Sequence, residues 1–284
     1  MKPIQTLDLE SLSIAGACAV PGKASDYLHV LSLFGTIGKL VITELPEVTC
    51  TCALKDAIAA QAVRRASRST PEYFERMFRH HPPRSRLAVG ELDLRELRYW
   101  PMPLLFVLKT LQHTSTVRSL TSLAVSFRGT REAVACGELL RLCGAGLRHC
   151  KIEMVHGMFQ PHALESDVLS LSSCTSLETL CLTTEQTPPS KSPGLTVSPM
   201  FVDILAHVPT ANLEHLVLAL RPCSGSREET GDQWSKLRDF LRRCVSLQTL
   251  AFVVESEDRN VKDVVCMEMA EWHERRIVIF NTGL

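Results

Sequence analysis

Leucines with the spacing L-x-x-L-x-L recur along the second half of the chain. Five segments share this spacing, and they begin at Leu120, Leu147, Leu177, Leu213 and Leu247. Successive segments lie about 27–36 residues apart, and the less regular run at 277–279 closes the series. Recurrence at such a period is typical of repeat architectures, in which each unit buries its apolar side against the next unit.

Each repeated segment predicts one strand followed by one helix. The L-x-L end alternates apolar and polar residues, as a short strand with one buried face does. In the fifth unit Leu237, Phe240 and Leu241 have the i, i+3, i+4 spacing of a helix face. The predicted helices cover 133–142, 201–208, 234–241 and 261–272. Parallel strands need a long crossover connection, and a helix between two strands provides one. We therefore predict that the strands run parallel.

The first half of the chain follows the same plan more loosely. The predicted elements are strands around 9–14, 40–42 and 87–94 and helices at 27–34, 53–65, 71–79 and 103–111. We therefore predict one domain over 1–284, with degenerate repeats in 1–95, a helical insertion at 53–80 and clearer repeats in 96–284. The predicted fold class is α/β, a leucine-rich-repeat-like solenoid of seven or eight units with a parallel β-sheet and helices on the outer face.

The amino-acid composition limits the class of partner and the cellular compartment that we expect for the chain. The 284 residues include 31 Lys+Arg and 31 Asp+Glu, so no net charge draws the chain to nucleic acid or to an anionic membrane. No apolar run approaches the ~18 residues that span a bilayer. Eleven cysteines, an odd number without a C-x-x-C pair, predict reduced thiols. We expect a cytoplasmic or nuclear protein.

Motifs that would carry catalysis are absent or incomplete. The segment Gly35–Lys39 lacks the outer glycine and the Ser/Thr of a phosphate-binding loop, so we predict a turn before a strand. Gly144 and Gly146 are predicted to end a helix. No G-x-S-x-G elbow offers a nucleophilic serine. The sequence predicts no enzyme and no cofactor.

Metal and nucleic-acid sites are weakly indicated. The densest metal donors are Cys50 with Cys52, the pair at 80–81, and His156 with His162, and none has the spacing of a zinc site. A basic stretch at 64–86 is interleaved with aromatics, and it predicts solvated helix faces rather than a nucleic-acid patch. Ser67 follows two arginines, a context that suits phosphorylation.

The polar positions of the predicted strands indicate where a partner binds. In L-x-x-L-x-L the x residues point away from the core, onto the concave side of a solenoid. The candidate residues are Arg148, His149, Lys151, Glu153, Glu178, Thr179, Glu214, His215, Gln248 and Thr249. The alternative is an ordinary solvated sheet face. Two insertions rich in proline or glycine, at 184–199 and 222–233, are predicted as flexible loops on one edge, which suit binding or neutral loop growth.

Two units carry a cysteine signature. Cys174 and Cys244 open the pattern C-x-x-L-x-x-L-x-L, which resembles the cysteine-containing leucine-rich repeats of F-box proteins. The segments 31–40 and 271–276 add to this likeness. The chain as a whole is similar to the repeat half of F-box-like proteins of mushroom-forming fungi. The resemblance implies the substrate-recognition part of an F-box-type ubiquitin-ligase receptor. The alternative is a free-standing scaffold, or a degenerate paralogue without a ubiquitin-ligase link.

The chain departs from that family in two ways. The Asn or Cys that leucine-rich repeats place three residues after the last leucine is replaced by Arg128, Val155, Glu185, Arg221 and Glu255. No F-box is visible, because 49–52 does not continue as a helix after the Leu-Pro at 45–46. We expect either a fragment or a form without the docking part. Binding of a Skp-type adaptor by this chain is therefore not expected.

Overall fold

The computed structural model describes residues 7–15, 31, 33–43, 86–95, 101–127, 129–154, 168–184, 194–223, 227–254 and 259–282. Its strands are β1 Leu7–Ala15, β2 Phe34–Thr43, β3 Ala88–Leu94, β4 Ser122–Phe127, β5 His149–Met154, β6 Thr179–Thr184, β7 Gly194–Val197, β8 His215–Cys223, β9 Thr249–Val254 and β10 Val278–Thr282. Its helices are α1 Pro101–Leu111, α2 Thr116–Ser119, α3 Thr130–Cys143, α4 Pro199–Ala206, α5 Arg227–Arg243, α6 Arg259–Glu268 and α7 Ala270–Glu274, with a 3-10 turn at Gly144–Gly146.

Nine of these strands form one parallel path. The order is β1-β2-β3-β4-β5-β6-β8-β9-β10, and every neighbouring pair is parallel. The tenth strand, β7, pairs antiparallel with β8. Each unit along the chain therefore adds its strand beside the previous one. The prediction of an α/β fold with parallel strands is confirmed, and the path is longer than the seven or eight units expected.

The leucine triplets share one core. Their middle positions are register partners in one row across neighbouring strands, namely Leu123, Cys150, Leu180, Leu216 and Leu250. All five are at most 2% exposed and belong to one cluster of buried residues. Burial of a large aliphatic side chain contributes roughly 1.5–3 kcal/mol, so such a row is a major source of stability.

Helices cover this core with the faces that their spacing predicts. In α5, Leu237, Phe240 and Leu241 are buried together with Trp234, whose ring meets Phe252 of β9 edge-on at 6.1 Å between centroids. The single helix expected at 261–272 is instead two helices, α6 and α7. They are separated at Met269, whose backbone (φ −112°, ψ 30°) leaves the helical region. Both Met269 and Trp272 are buried, so this turn directs two large side chains into the core.

The segment Gly35–Lys39 is not a turn. It lies inside β2, and Phe34, which was expected to end a helix, is the first residue of that strand. Gly38 serves close packing, because a Cβ there would lie 2.5 Å from the Glu10 carbonyl oxygen of β1. Gly90 repeats the arrangement on β3, where a Cβ would lie 2.8 Å from the Gly38 carbonyl oxygen.

The two predicted loops contain regular structure. Within 184–199 the chain forms β7, and within 222–233 β8 continues to Cys223 and α5 begins at Arg227. Tertiary contacts stabilise β7, since the Trp234 indole N–H donates to the Leu195 carbonyl at 3.3 Å and Val197 is buried. The prediction of flexible loops is therefore wrong for these parts.

The predicted helix end at the glycine pair is confirmed. Helix α3 ends at Cys143, and the Gly144 N–H donates to the Leu140 carbonyl. Gly144 has φ +53°, which is costly for other residues.

Several predictions lie outside the described residues: the helices at 53–65 and 71–79, the metal candidates at 50, 52, 80, 81, 156 and 162, the basic stretch before Arg86, and Ser67. None of the helices described here is long and apolar enough to cross a membrane.

Candidate partner-binding surface

Eight of the ten predicted surface residues form two adjacent rows across β5, β6, β8 and β9. The imidazole row consists of His149, Thr179, His215 and Thr249, which are register partners on these strands. The leading row consists of the residues immediately before them, Arg148, Glu178, Glu214 and Gln248. All eight are half-buried or exposed, so both rows present polar side chains to solvent at the amino-terminal edge of the sheet.

A repeated backbone arrangement holds the leading row. The Arg148 carbonyl accepts the N–H groups of Glu178 (2.8 Å) and Thr179 (3.0 Å). The Glu178 carbonyl accepts both N–H groups from 214–215, and the Glu214 carbonyl accepts both from 248–249. Because every carbonyl of this series binds two donors of the next unit, the side chains of the row have one common spacing.

A second ladder joins the turns that precede the strands. The Asn212 side-chain amide donates to the Thr175 carbonyl at 2.9 Å, and the Ser246 hydroxyl donates to the Ala211 carbonyl at 2.7 Å. Asn212 and Ser246 each stand directly before the first leucine of a unit. This ladder lies before the strands. The Asn or Cys of leucine-rich repeats, which this chain lacks, would come after the last leucine, at the other end of each strand. Its sequence signal is the polar residue that repeats before Leu177, Leu213 and Leu247.

Charged side chains interact within the leading row. The Arg148 guanidinium bonds Glu178 Oε1 through Nε at 2.8 Å and through its terminal nitrogen. Glu214 directly precedes β8, and its Oε2 lies 3.9 Å from His215 Nε2, beyond hydrogen-bond distance. In the imidazole row, His149 Nδ1 and Thr179 Oγ1 are 3.2 Å apart. The surface is thus mixed in charge, and its carboxylates directly precede the two neighbouring strands β6 and β8.

Lys151 and Glu153 are separated from the other eight residues. They lie further along β5, where the outward neighbours in register become buried. Ser126 and Thr183 flank Glu153 and are 1% and 4% exposed, and Cys181 beside Lys151 is also buried. Beside β5, the outward face is therefore more open near the amino-terminal edge than at this end. Lys151 and Glu153 point outward, as the spacing predicts, and both are half-buried among these neighbours.

An ion pair on the same face was missed from the sequence. Arg95 binds the Asp93 carboxylate through Nε at 3.0 Å and through a terminal nitrogen at 2.7 Å. Burial raises the pKa of Asp93, but the hydrogen bonds and charge of Arg95 outweigh burial and hold that pKa below its usual value. The two residues alternate at the end of β3, which is the only signal that the sequence offered.

An open groove lies between the leading row and the turns before it. Its volume is about 380 Å³, and it is lined by Ala145, Gly146, Arg148, Ser176, Glu178, Asn212 and Glu214. These residues come from three consecutive units, and the two ladders described above include Arg148, Glu178, Glu214 and Asn212. Arg148, Glu178 and Glu214 were predicted as surface residues. The contribution of the turns was not predicted, because it depends on how neighbouring units stack.

The two cysteines that open the C-x-x-L-x-x-L-x-L pattern, Cys174 and Cys244, occupy equivalent turns. The Cys174 and Cys244 N–H groups bond the carbonyls of Leu171 and Leu241, and their own carbonyls accept the N–H groups of Leu177 and Leu247. Both thiols are buried, and burial raises their pKa to about 11 and about 12. A protonated thiol is a poor nucleophile and metal ligand. Over the part of the chain that the structure describes, no three His, Cys, Asp or Glu side chains are grouped to hold a metal ion.

Buried thiols predict a loss of stability in base. Burial raises the pKa of Cys136 from 9.0 to about 12. The folded state therefore holds this proton more tightly than the unfolded state, and its stabilising effect is complete below about pH 9 and lost as the pH rises toward 12. We expect the unfolding free energy to fall between pH 9 and 10.5 in urea titrations. In Cys136→Ala the fall should be smaller by up to about 1.4 kcal/mol per pH unit, and an identical slope would contradict the assignment.

Comparisons with known proteins give no relative. No model of a known protein family, no curated protein and no solved structure matches the chain. Its function must therefore be inferred from its own residues.

Proposed function

We propose that the chain is a leucine-rich-repeat-like solenoid that recognises a protein partner and is not an enzyme. The observation that supports this most is the pair of adjacent rows on β5, β6, β8 and β9. They bring eight polar side chains, from residues up to a hundred positions apart in sequence, onto one continuous surface. A parallel sheet spaces such side chains about 4.8 Å apart, so the rows extend roughly 15 Å across the strands.

Rigid presentation of these side chains favours recognition. The carbonyls of Arg148, Glu178 and Glu214 each accept two N–H groups of the next unit, so the backbone below the surface is already ordered. Binding to such a surface costs little ordering of the protein, which leaves more of the contact energy for affinity.

The resemblance extends this proposal to a biological class. By resemblance, the chain is the substrate-recognition part of an F-box-type ubiquitin-ligase receptor, and the equivalent turns at Cys174 and Cys244 support it. The alternative is a free-standing scaffold or a degenerate paralogue. Seven described cysteines are free, in keeping with a reducing cytoplasmic or nuclear location. Capture of a purified Skp-type adaptor by this chain would favour the receptor over the scaffold.

A matched pair of variants tests the surface. The first combines His149→Ala with His215→Ala in the imidazole row, and the control combines Asp232→Ala with Lys236→Ala, an exposed ion pair on α5. Proteins crosslinked to the intact chain in cell extract should be quantified by mass spectrometry. We expect partners to fall at least tenfold with the first variant, because central interface side chains commonly contribute more than about 1 kcal/mol each, and to remain with the control. Equal capture by both variants would refute the surface.

A further inference from the structure

The groove beside the leading row has a chemistry that selects its ligand. Its walls carry one guanidinium, at Arg148, and two carboxylates, at Glu178 and Glu214. Ser176 and Asn212 add a hydroxyl and an amide from the turns. No wall residue has a large apolar side chain, so the groove offers polar contacts and little apolar surface. With a volume of about 380 Å³, it has room for one long side chain of a partner.

The charges in the groove do not balance. Arg148 is bonded to Glu178 through Oε1, which leaves Oε2 without a bond to another described side chain. Glu214 directly precedes the neighbouring strand β8, and within the described residues its carboxylate forms an ion pair only with the His215 ring, at 3.9 Å. Glu178 and Glu214 occupy equivalent positions before adjacent strands, and like charges placed in this way repel each other and are destabilising. A second cation placed between the two carboxylates would relieve that repulsion.

The remaining hydrogen-bonding groups also suit a donor-rich ligand. The Asn212 side-chain nitrogen is bonded to the Thr175 carbonyl, so its amide oxygen is the atom available to a ligand. Glu178 Oε2 and the Glu214 carboxylate add further acceptor oxygens to the same groove. An anionic ligand is disfavoured, because the groove carries two carboxylates against one guanidinium, which is already bonded to Glu178.

We propose that the groove binds an arginine side chain presented by the protein partner. A guanidinium has five donors and no acceptor, and its planar shape allows it to bond two carboxylates at once. A lysine ammonium carries the same charge but cannot bridge the carboxylates in this way. The inference rests on the proposed function, and it specifies the chemical character of the partner.

The test uses small probes and the whole chain. Nα-acetyl-arginine amide is titrated into ¹⁵N-labelled protein, and NMR follows the backbone amides of Glu178 and Glu214 and the side-chain amide of Asn212. We expect chemical-shift changes that saturate, with a dissociation constant in the millimolar range. The neutral citrulline analogue should produce none, and Nα-acetyl-lysine amide should bind at least threefold more weakly. Equal affinity for the lysine or the citrulline probe would overturn the proposal.

Variants locate the binding site of the probe. Glu214→Gln keeps the shape of the side chain and removes its charge, and it should weaken the arginine probe at least fivefold. Asp232→Asn, an equivalent change at an exposed acid of α5, should leave the affinity unchanged. Unchanged affinity in Glu214→Gln would overturn the assignment. If the probe fails while partner capture still depends on the imidazole row, only this inference falls; if the probe binds but capture does not depend on that row, the proposed function falls.

Discussion

Leu216→Asp is expected to unfold the centre of the sheet. Leu216 is fully buried on β8, between Leu180 of β6 and Leu250 of β9. The change removes an aliphatic side chain from the core and places an unpaired carboxylate there, and no basic side chain lies in that row. The expected loss exceeds about 5 kcal/mol, which is comparable with the whole stability of many domains. Circular dichroism should show no cooperative thermal transition.

The control lies two residues away. Glu214→Ala changes a side chain that is 41% exposed, and surface substitutions of this kind usually shift stability by less than about 0.5 kcal/mol. Its melting curve should therefore match that of the unaltered protein. Equal destabilisation by the two substitutions would show that β8 does not have the register described above.

Gly137→Ala should destabilise the protein, although alanine is the better helix former. Gly137 lies inside α3, and a Cβ there would lie 1.7 Å from the Val168 carbonyl oxygen and 2.9 Å from its carbon. Both atoms belong to the backbone, so the helix or the turn at 168–169 must move to admit the methyl group. Overpacking of this kind costs about 3 kcal/mol, which urea unfolding curves can measure.

Gly231→Ala is the matched substitution with the opposite sign. Gly231 lies within α5, and a Cβ there would meet nothing within 4 Å. Only helix propensity then applies, and we expect a gain of up to about 1 kcal/mol. A neutral or stabilising effect of Gly137→Ala would contradict the close approach of α3 to Val168.

The repeated core could be predicted from the sequence because its signal is periodic. The leucines around Leu180, Leu216 and Leu250 have the same spacing in each unit, and stacking of equivalent units follows from it. Gly38 and β7 could not be predicted in this way. The first depends on how closely Glu10 of β1 approaches, and the second depends on the hydrogen bond that Trp234 supplies from another element.

The candidate surface was predicted in part, for a similar reason. The spacing L-x-x-L-x-L predicts which residues point outward, and Glu178 and Glu214 are half-buried at the surface, in keeping with it. It does not show which outward residues become buried, as Ser126 and Thr183 do beside Glu153. It also does not show that Asn212 reaches the neighbouring unit, since that contact joins residues 37 positions apart.

The central claim is that the leucine-bearing strands are parallel neighbours over one core. Backbone amide contacts measured by nuclear Overhauser spectroscopy on deuterated protein test it most directly. The structure pairs His215 with Thr249 and Leu218 with Phe252, so contacts should advance in the same direction along 215–218 and 249–252. Contacts that instead join 215 to 252 and 218 to 249, or no contacts between the two segments, would contradict the parallel sheet and the recognition surface built on it.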